Sequence, residues 1–337
     1  MSDREPEIRR FLAAAGWGAA HRDPLAGDAS ARRYDRLTDP ATGATAVLMM
    51  AAAGDRNGVL TFARLARDLN AAGLSAPSII AENAADALLL LEDLGDATFT
   101  HLLDTKAASQ VASETTLYGA ATDLLHDLHR LPVPPEALRL DSATLGEMTG
   151  IAFERYAAPI TGQNAGPEII PRLTALFEEA LSGPLVFCHR DYHADNLLWL
   201  PERSGPARVG LLDFQDAVAG PAVYDLVSLL QDARRDVDPA LATAMTERFG
   251  AAAGLASADL SRACALVGLQ RNLRILGVFA RLAQDFGKPQ YRRFAPRVFA
   301  HVERNLTHPS LEPVASLIRD ALPVPTPARL NQVFPDP

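Results

Sequence analysis

The stretch His189-Arg190-Asp191-Tyr192-His193-Ala194-Asp195-Asn196, with Asp213-Phe214 beginning seventeen residues after Asn196, constrains this chain more than any other feature. Apolar runs surround it: Leu185 to Cys188 leads in, Leu197 to Leu200 leads out, and Arg208 to Leu212 runs into Asp213. Each reads as a short strand. Strand, polar loop, strand, turn and strand predict a small hairpin that gathers Asp191, Asn196 and Asp213 at one end. The pattern H-R-D-x-x-x-x-N sets a carboxylate to orient or deprotonate an attacking hydroxyl. An amide oxygen five residues on and an Asp from the next turn are suited to Mg²⁺ between the phosphates of ATP. The chemistry expected is phosphoryl transfer, with Asp191 as base beside Arg190 and His189, and with Asn196 and Asp213 on the metal. A competing pattern shares these residues. His189, Asp191, His193 and Asp195 alternate as ligands of a transition metal do, which points to a hydrolytic site. That reading leaves Asn196 and Asp213 without a part.

A chain of 337 residues suits two lobes, each with its own core. Glu5 to Ala15 repeats apolar residues at helical spacing. Ala31 to Leu37 and Thr45 to Met50 read as paired strands, Gly58 to Ala72 as a helix, and Pro77 to Ala81 and Ala87 to Leu91 as two more strands. After Gly95 the pattern turns to long helices, at 109–130, 145–156, 168–181, 222–233, 257–283 and 290–305. The expectation is an α+β, bilobal, protein-kinase-like fold. Residues 1–94 form a nucleotide-binding lobe, 91–95 a hinge, and 95–337 a mainly helical catalytic and substrate-binding lobe. No run of eighteen apolar residues is present, so no membrane partner is expected, and the charged stretch Met1 to Arg10 is unlike a secretory signal. Cys188 and Cys264 sit in apolar surroundings and read as reduced thiols of a cytoplasmic protein. A net charge of −9 argues against a nucleic-acid partner and leaves a small-molecule substrate as the expectation.

The nucleotide half departs from the kinase pattern. Gly27-Asp28-Ala29-Ser30-Ala31, just before a strand, is the candidate phosphate-covering turn, with Ser30 facing the phosphates. The strand 45–50 lacks the usual Lys, and the helix after it lacks the partner Glu; Lys106 and Lys288 are the only lysines in the chain. Arg32 or Arg33 is the expected replacement, since Arg offers a forked, permanent phosphate donor. The two side chains point to opposite faces of a strand, so only one of them faces the nucleotide. At the hinge Glu92-Asp93-Leu94, main-chain groups of Glu92 and Leu94 are expected to hold adenine.

Late in the chain, Gln270, Arg271, Asn272 and Arg274 interrupt an apolar helix. Gln270, Arg271 and Arg274 are candidates for the acceptor pocket, where an Arg fork suits a carboxylate and amides suit hydroxyls. An exposed polar stripe accounts for them equally well. Asp216 is read as a turn residue rather than a second metal ligand, and Asp225 as a structural brace of the catalytic loop. His126 and His129, three residues apart, are read as packing residues.

These stretches together resemble the aminoglycoside phosphotransferase family. They are Gly27 to Ser30 with Arg32-Arg33-Tyr34, Leu90 to Gly95, His189 to His193 with Asn196, Asp213 to Leu230, and Leu269 to Asn272 with Gly277 to Leu282 and Gly287-Lys288-Pro289. Within the family the chain is most similar to anomeric sugar kinases of bacterial cell-wall recycling, which phosphorylate N-acetylmuramate and N-acetylglucosamine at C1. The resemblance implies ATP as donor, Asp191 as base, and Asn196 and Asp213 as Mg²⁺ ligands. It also implies that the missing strand Lys is a habit of this subgroup. Three alternatives stay open. An aminoglycoside kinase needs an acidic acceptor cleft, a choline-type kinase needs an aromatic cage, for which Tyr192, Phe214 and Tyr224 are at hand, and a pseudokinase binds nucleotide without transfer.

Overall fold

The structure, a computed structural model, describes residues 4–25, 32–105, 111–181 and 183–335. Packing groups Met1–Ala120 with Asp195–Asp216 in one unit, and Ala121–Ala194 with Ala217–Pro337 in another.

The first unit is built on a five-stranded antiparallel sheet. Its strands are β1 (His21–Leu25), β2 (Arg33–Thr38), β3 (Thr45–Met50), β4 (Ile79–Asn83) and β5 (Leu88–Glu92), in the order β1-β2-β3-β5-β4. Asp39 turns β2 into β3: its carboxylate accepts from Ala41 N at 2.7 Å, and its main chain closes on Ala44. Helix α1 (Glu5–Ala14) covers one face, setting Ile8, Phe11 and Leu12 on Leu37, Ala46, Leu48, Met50, Leu88 and Leu90. Helix α2 (Arg56–Ala71) packs against β4 and β5 and is capped by Asp55, which accepts from Gly58 N. Its Val59, Phe62, Leu65 and Leu69 are buried. Strand β1, unforeseen in the sequence, is a polar edge strand containing Pro24, so it carries no alternation to read.

Val186–Cys188 (β6), Leu197–Trp199 (β7), Val209–Leu211 (β8) and Val218–Gly220 (β9) are all strands, but β6 pairs with β9 while β7 pairs with β8. Only β7 and β8 form a hairpin, so the single hairpin expected from sequence is two ladders. The turn 200–208 returns the chain directly onto β7, whereas the long polar loop after Cys188 makes no tight return. The β7–β8 hairpin belongs to the first unit through main-chain bonds: Leu211 N donates to Ser75 O at 2.7 Å and Trp199 N to Ala97 O at 2.8 Å. This unit also holds α3 (Phe99–Asp104) and extends into α4 (Glu114–Leu128), so it reaches beyond the expected hinge.

The second unit is helical. Its helices are α5 (Ser142–Ile151), α6 (Gly166–Ala180), α7 (Tyr224–Leu230), α8 (Pro239–Ala253), α9 (Ser257–Phe286), α10 (Ala295–Leu306), α11 (Glu312–Ala321) and α12 (Pro327–Val333). The long α9 packs against α5, α7 and α10. By length and composition α9 is apolar enough to cross a membrane, yet most of it is buried inside the helical unit. A π-helical turn, Ala152–Ala157, continues α5. Gly277 on α9 lets that segment close in: a Cβ there would lie 2.6 Å from Ala152 N.

Candidate active site

Leaving β6, the backbone enters a left-handed conformation at Arg190 (φ 79°), a costly state for a non-glycine residue. Asp225, fully buried on the first turn of α7, holds it there, accepting from His189 N at 2.6 Å and Arg190 N at 2.9 Å. Burial lifts the Asp225 carboxyl to about 7, against the pull of those two amides and of Arg271. From the other side Arg271 donates to the Arg190 carbonyl at 3.2 Å while its guanidinium lies over the Tyr224 ring, 5.3 Å from the centroid. The loop that presents Asp191 is therefore pinned through its main chain on both sides.

Burial raises the Asp191 carboxyl, but Arg271, His193, Arg190 and His189 outweigh it and hold it below the usual carboxylate range. His193 is itself kept far below its ordinary value by burial and by Arg234, whose guanidinium is 3.1 Å from Nε2. A neutral His193 lends no charge at pH 7, so Arg271 and Arg190 carry the stabilisation. Tyr192 is buried and donates to Ala121 O at 2.7 Å, and the His189 ring meets its edge. Gln270 Nε2 donates to the Leu145 carbonyl at 3.2 Å. Arg274 lines a cavity.

In the first unit, Leu212 N donates to Asn196 O at 2.9 Å, which brings Asn196 and Asp213 to one end of the β7–β8 ladder. Asp213 is also left-handed (φ 60°), and its Oδ1 accepts from Gln215 Nε2 at 2.7 Å. The same amide reaches Asp216 Oδ2 at 3.3 Å. Phe214 is buried against Phe62 of α2, with centroids 4.7 Å apart. Burial pushes the Tyr34 hydroxyl up to about 12, with Arg32 opposing and Asp213 adding to the rise. Arg32, Tyr34 and Asp213 thus share one neighbourhood, while Arg33 is exposed on the other face of β2. Nothing in the sequence pattern singled out Tyr34. An amide oxygen beside a carboxylate is the hard donor set Mg²⁺ prefers. Among the described residues no three His, Cys, Asp or Glu side chains gather as a transition-metal site requires, so the alternating His189, Asp191, His193 and Asp195 form no such centre.

At the strap after β5, Glu92 pairs with Arg203 and accepts from Ser78 Oγ at 2.9 Å, while its N–H is taken by Ser78 O. Arg36 grips Asp93 at 2.8 Å and Asp96 at 2.7 Å. These side-chain contacts fix the strap in place. Ser30 and the turn 27–31 lie outside the described residues.

The chain is similar to known proteins in sequence and in fold. The sequence profile of the phosphotransferase enzyme family (APH) matches residues 21–264. An N-acetylmuramate/N-acetylglucosamine kinase of Caulobacter vibrioides is 37% identical over 96% of this chain and 98% of its own. A kinase of the same name from Pseudomonas aeruginosa is 32% identical over 88% of each chain. Among solved structures, a choline/ethanolamine kinase family protein from Mesorhizobium loti matches with a TM-score of 0.61 at 17% identity, covering 94% of this chain and 99% of that one. An aminoglycoside phosphotransferase from Streptomyces rimosus, solved with ADP and streptomycin, matches with a TM-score of 0.52 at 19% identity over 79% of this chain and 98% of that one. These structures share the α+β, protein-kinase-like fold, and the sequence matches go further: the chain belongs to the APH phosphotransferase enzyme family and is a kinase.

Proposed function

We propose that this kinase transfers the γ-phosphoryl group of ATP to the anomeric hydroxyl of N-acetylmuramate or N-acetylglucosamine, in the cytoplasm. The observation that carries the reading is the match to a kinase of that name along 96% of the chain. In this proposal Asp191 takes the proton of the C1 hydroxyl on a carboxylate oxygen. Arg271 and Arg190 keep that carboxylate ionised, and Asp225 holds the loop so that it points at the acceptor. Asn196 and Asp213 hold Mg²⁺, with Asp216 ordering the same turn through Gln215. When bound, the ion neutralises charge between the phosphates. Arg32 takes the phosphate-gripping role of the absent strand Lys, because it is the member of the Arg pair that sits with Tyr34 near Asp213. The strap 91–95 is the adenine-binding hinge between lobes 1–94 and 95–337, with Leu94 supplying the main-chain contact.

Packing speaks against a choline-type reading. Tyr192 is buried and bonded to Ala121, Phe214 is stacked on Phe62, and the face of Tyr224 is covered by Arg271, so none is left to build an aromatic cage.

The test is ATP consumption with N-acetylmuramate, N-acetylglucosamine, kanamycin and choline, with the product phosphate located by ³¹P NMR. A phosphorus signal coupled to the anomeric proton is expected with the two amino sugars. Turnover confined to kanamycin or choline, or no turnover with any acceptor, overturns the proposal.

A further inference from the structure

A cavity of about 500 Å³ lies wholly within the helical unit. Arg274, Val278 and Arg281 recur at i, i+4 and i+7 along one stripe of α9 and form one wall. Glu147, Ile151 and Asn164, from α5 and the segment before α6, face them. The close approach at Gly277 fixes the spacing of these walls. The π-helical turn begins at the point of contact, a backbone irregularity that recurs at functional sites.

Arg274 is the unusual member of this lining. It is half-buried, and among the described residues it has neither an ion pair nor a hydrogen bond. Burial depresses its pKa, and Arg190 and Arg271 press the same way, opposed by Tyr224 and Asp191. Those influences also place the guanidinium within electrostatic reach of Asp191. The nearby acid Glu154 is turned to Arg155, at 3.0 Å, and is exposed. Glu147, the other acid of the lining, is exposed and makes no ion pair with Arg274. A desolvated guanidinium with no carboxylate bonded to it is a site for an anion brought in by a ligand.

The two acceptors of the proposed reaction differ by one such anion. N-acetylmuramate carries a lactyl ether ending in a carboxylate where N-acetylglucosamine has a hydroxyl. Resting on the amino-sugar reading, we propose that Arg274 binds this lactyl carboxylate and sets the preference for N-acetylmuramate over N-acetylglucosamine. Arg281, exposed two turns further along the stripe, draws the anion in.

Steady-state kinetics on both sugars tests this. Arg274→Gln lowers the ratio of kcat/KM for N-acetylmuramate to that for N-acetylglucosamine by about 10- to 100-fold, the scale of a charge-assisted hydrogen bond, and Arg274→Lys restores part of it. A wild-type measurement removes any dependence on the folding of the variant. The neutral lactyl amide of N-acetylmuramate loses the acid's advantage by a similar factor. A ratio unchanged within about twofold in the variant, or an amide used as well as the acid, overturns the assignment of Arg274 while leaving the amino-sugar reading intact. Failure of the wild-type enzyme to phosphorylate either sugar overturns both.

Discussion

The carboxyl of Asp191 is held below the usual carboxylate range because neighbouring guanidiniums outweigh its burial, which suits the role of base proposed for it. Replacing it with Asn keeps the shape and removes the proton acceptor, so kcat falls by about 10²–10⁴ while nucleotide affinity is kept, a split that single-turnover and binding assays resolve. On the nucleotide side the structure separates a pair that the sequence left equal. Arg32→Ala is expected to weaken ATP binding by about tenfold, the scale of a lost charge-assisted contact, whereas Arg33→Ala stays within about twofold, both read by calorimetric titration. Asp213→Asn abolishes the rise in melting temperature that Mg²⁺ adds to ATP alone, since a ligand stabilises a fold only through groups that bind it. If the variant keeps the full Mg²⁺-dependent shift, Asp213 is not a metal ligand. Asp191, Asn196 and Asp213 were legible as candidates because H-R-D-x-x-x-x-N and its trailing Asp are set by local spacing. Tyr34 and Arg234 were not legible, since their neighbours come from distant parts of the chain.

At the scale of elements, α7 acts on chemistry without touching it. Asp225→Ala leaves the N–H groups of His189 and Arg190 unpaired in a buried site, a loss of about 2–4 kcal/mol at the usual cost of two orphaned donors. It also frees a strained backbone at Arg190, so kcat drops more than stability alone explains. Urea denaturation alongside kinetics at a temperature where the variant is folded checks both. On α9, Gly277→Ala drives a methyl group into the main chain of Ile151 and Ala152, with an expected loss of about 1–3 kcal/mol seen as a lower urea midpoint at unchanged slope. The helices of 168–181, 257–283 and 290–305 were visible within a few residues, because each buries one apolar stripe. Helix α8 carries a weaker stripe and escaped notice, as did the short helices near the C-terminus. The pairing of β6 with β9 also escaped, because three-residue strands contain no register information of their own.

Across the whole molecule, stability should depend on acid in a definite direction. Burial holds His129 and His301 neutral, each at about 4, with His126 and Arg304 respectively adding to the effect. An unfolded histidine titrates near 6.5, so below that pH the unfolded chain binds protons that the folded one refuses. The contribution of these two histidines is therefore intact above about pH 6.5 and falls as the pH drops toward 4, by about 1–2 kcal/mol per histidine at pH 5, while Asp225, raised to about 7, works in the opposite sense. Thermal melts from pH 7.5 to 5 are expected to show this decline, and His129→Phe, which keeps an edge-to-face ring against Phe249 without a proton to gain, should flatten it. An unchanged slope in that variant rules out His129 as a contributor. Both cysteines are free and held well up in pKa by burial, in line with their reading as packed thiols.

By itself the sequence determined the kind of chemistry. Two carboxylates and an amide at fixed spacing are local facts, and local spacing survives in any fold that keeps the turn. It also determined the α+β class, since a period of two gives way to a period of 3.6 after Gly95. Only the tertiary structure decided which of two adjacent arginines sits with Tyr34, that Gln270 and Arg271 serve the interior while Arg274 lines a cavity, and that β6 and β7 part company. Each of those outcomes turns on which groups from distant segments meet and shed their water together, and distance along the chain does not encode that.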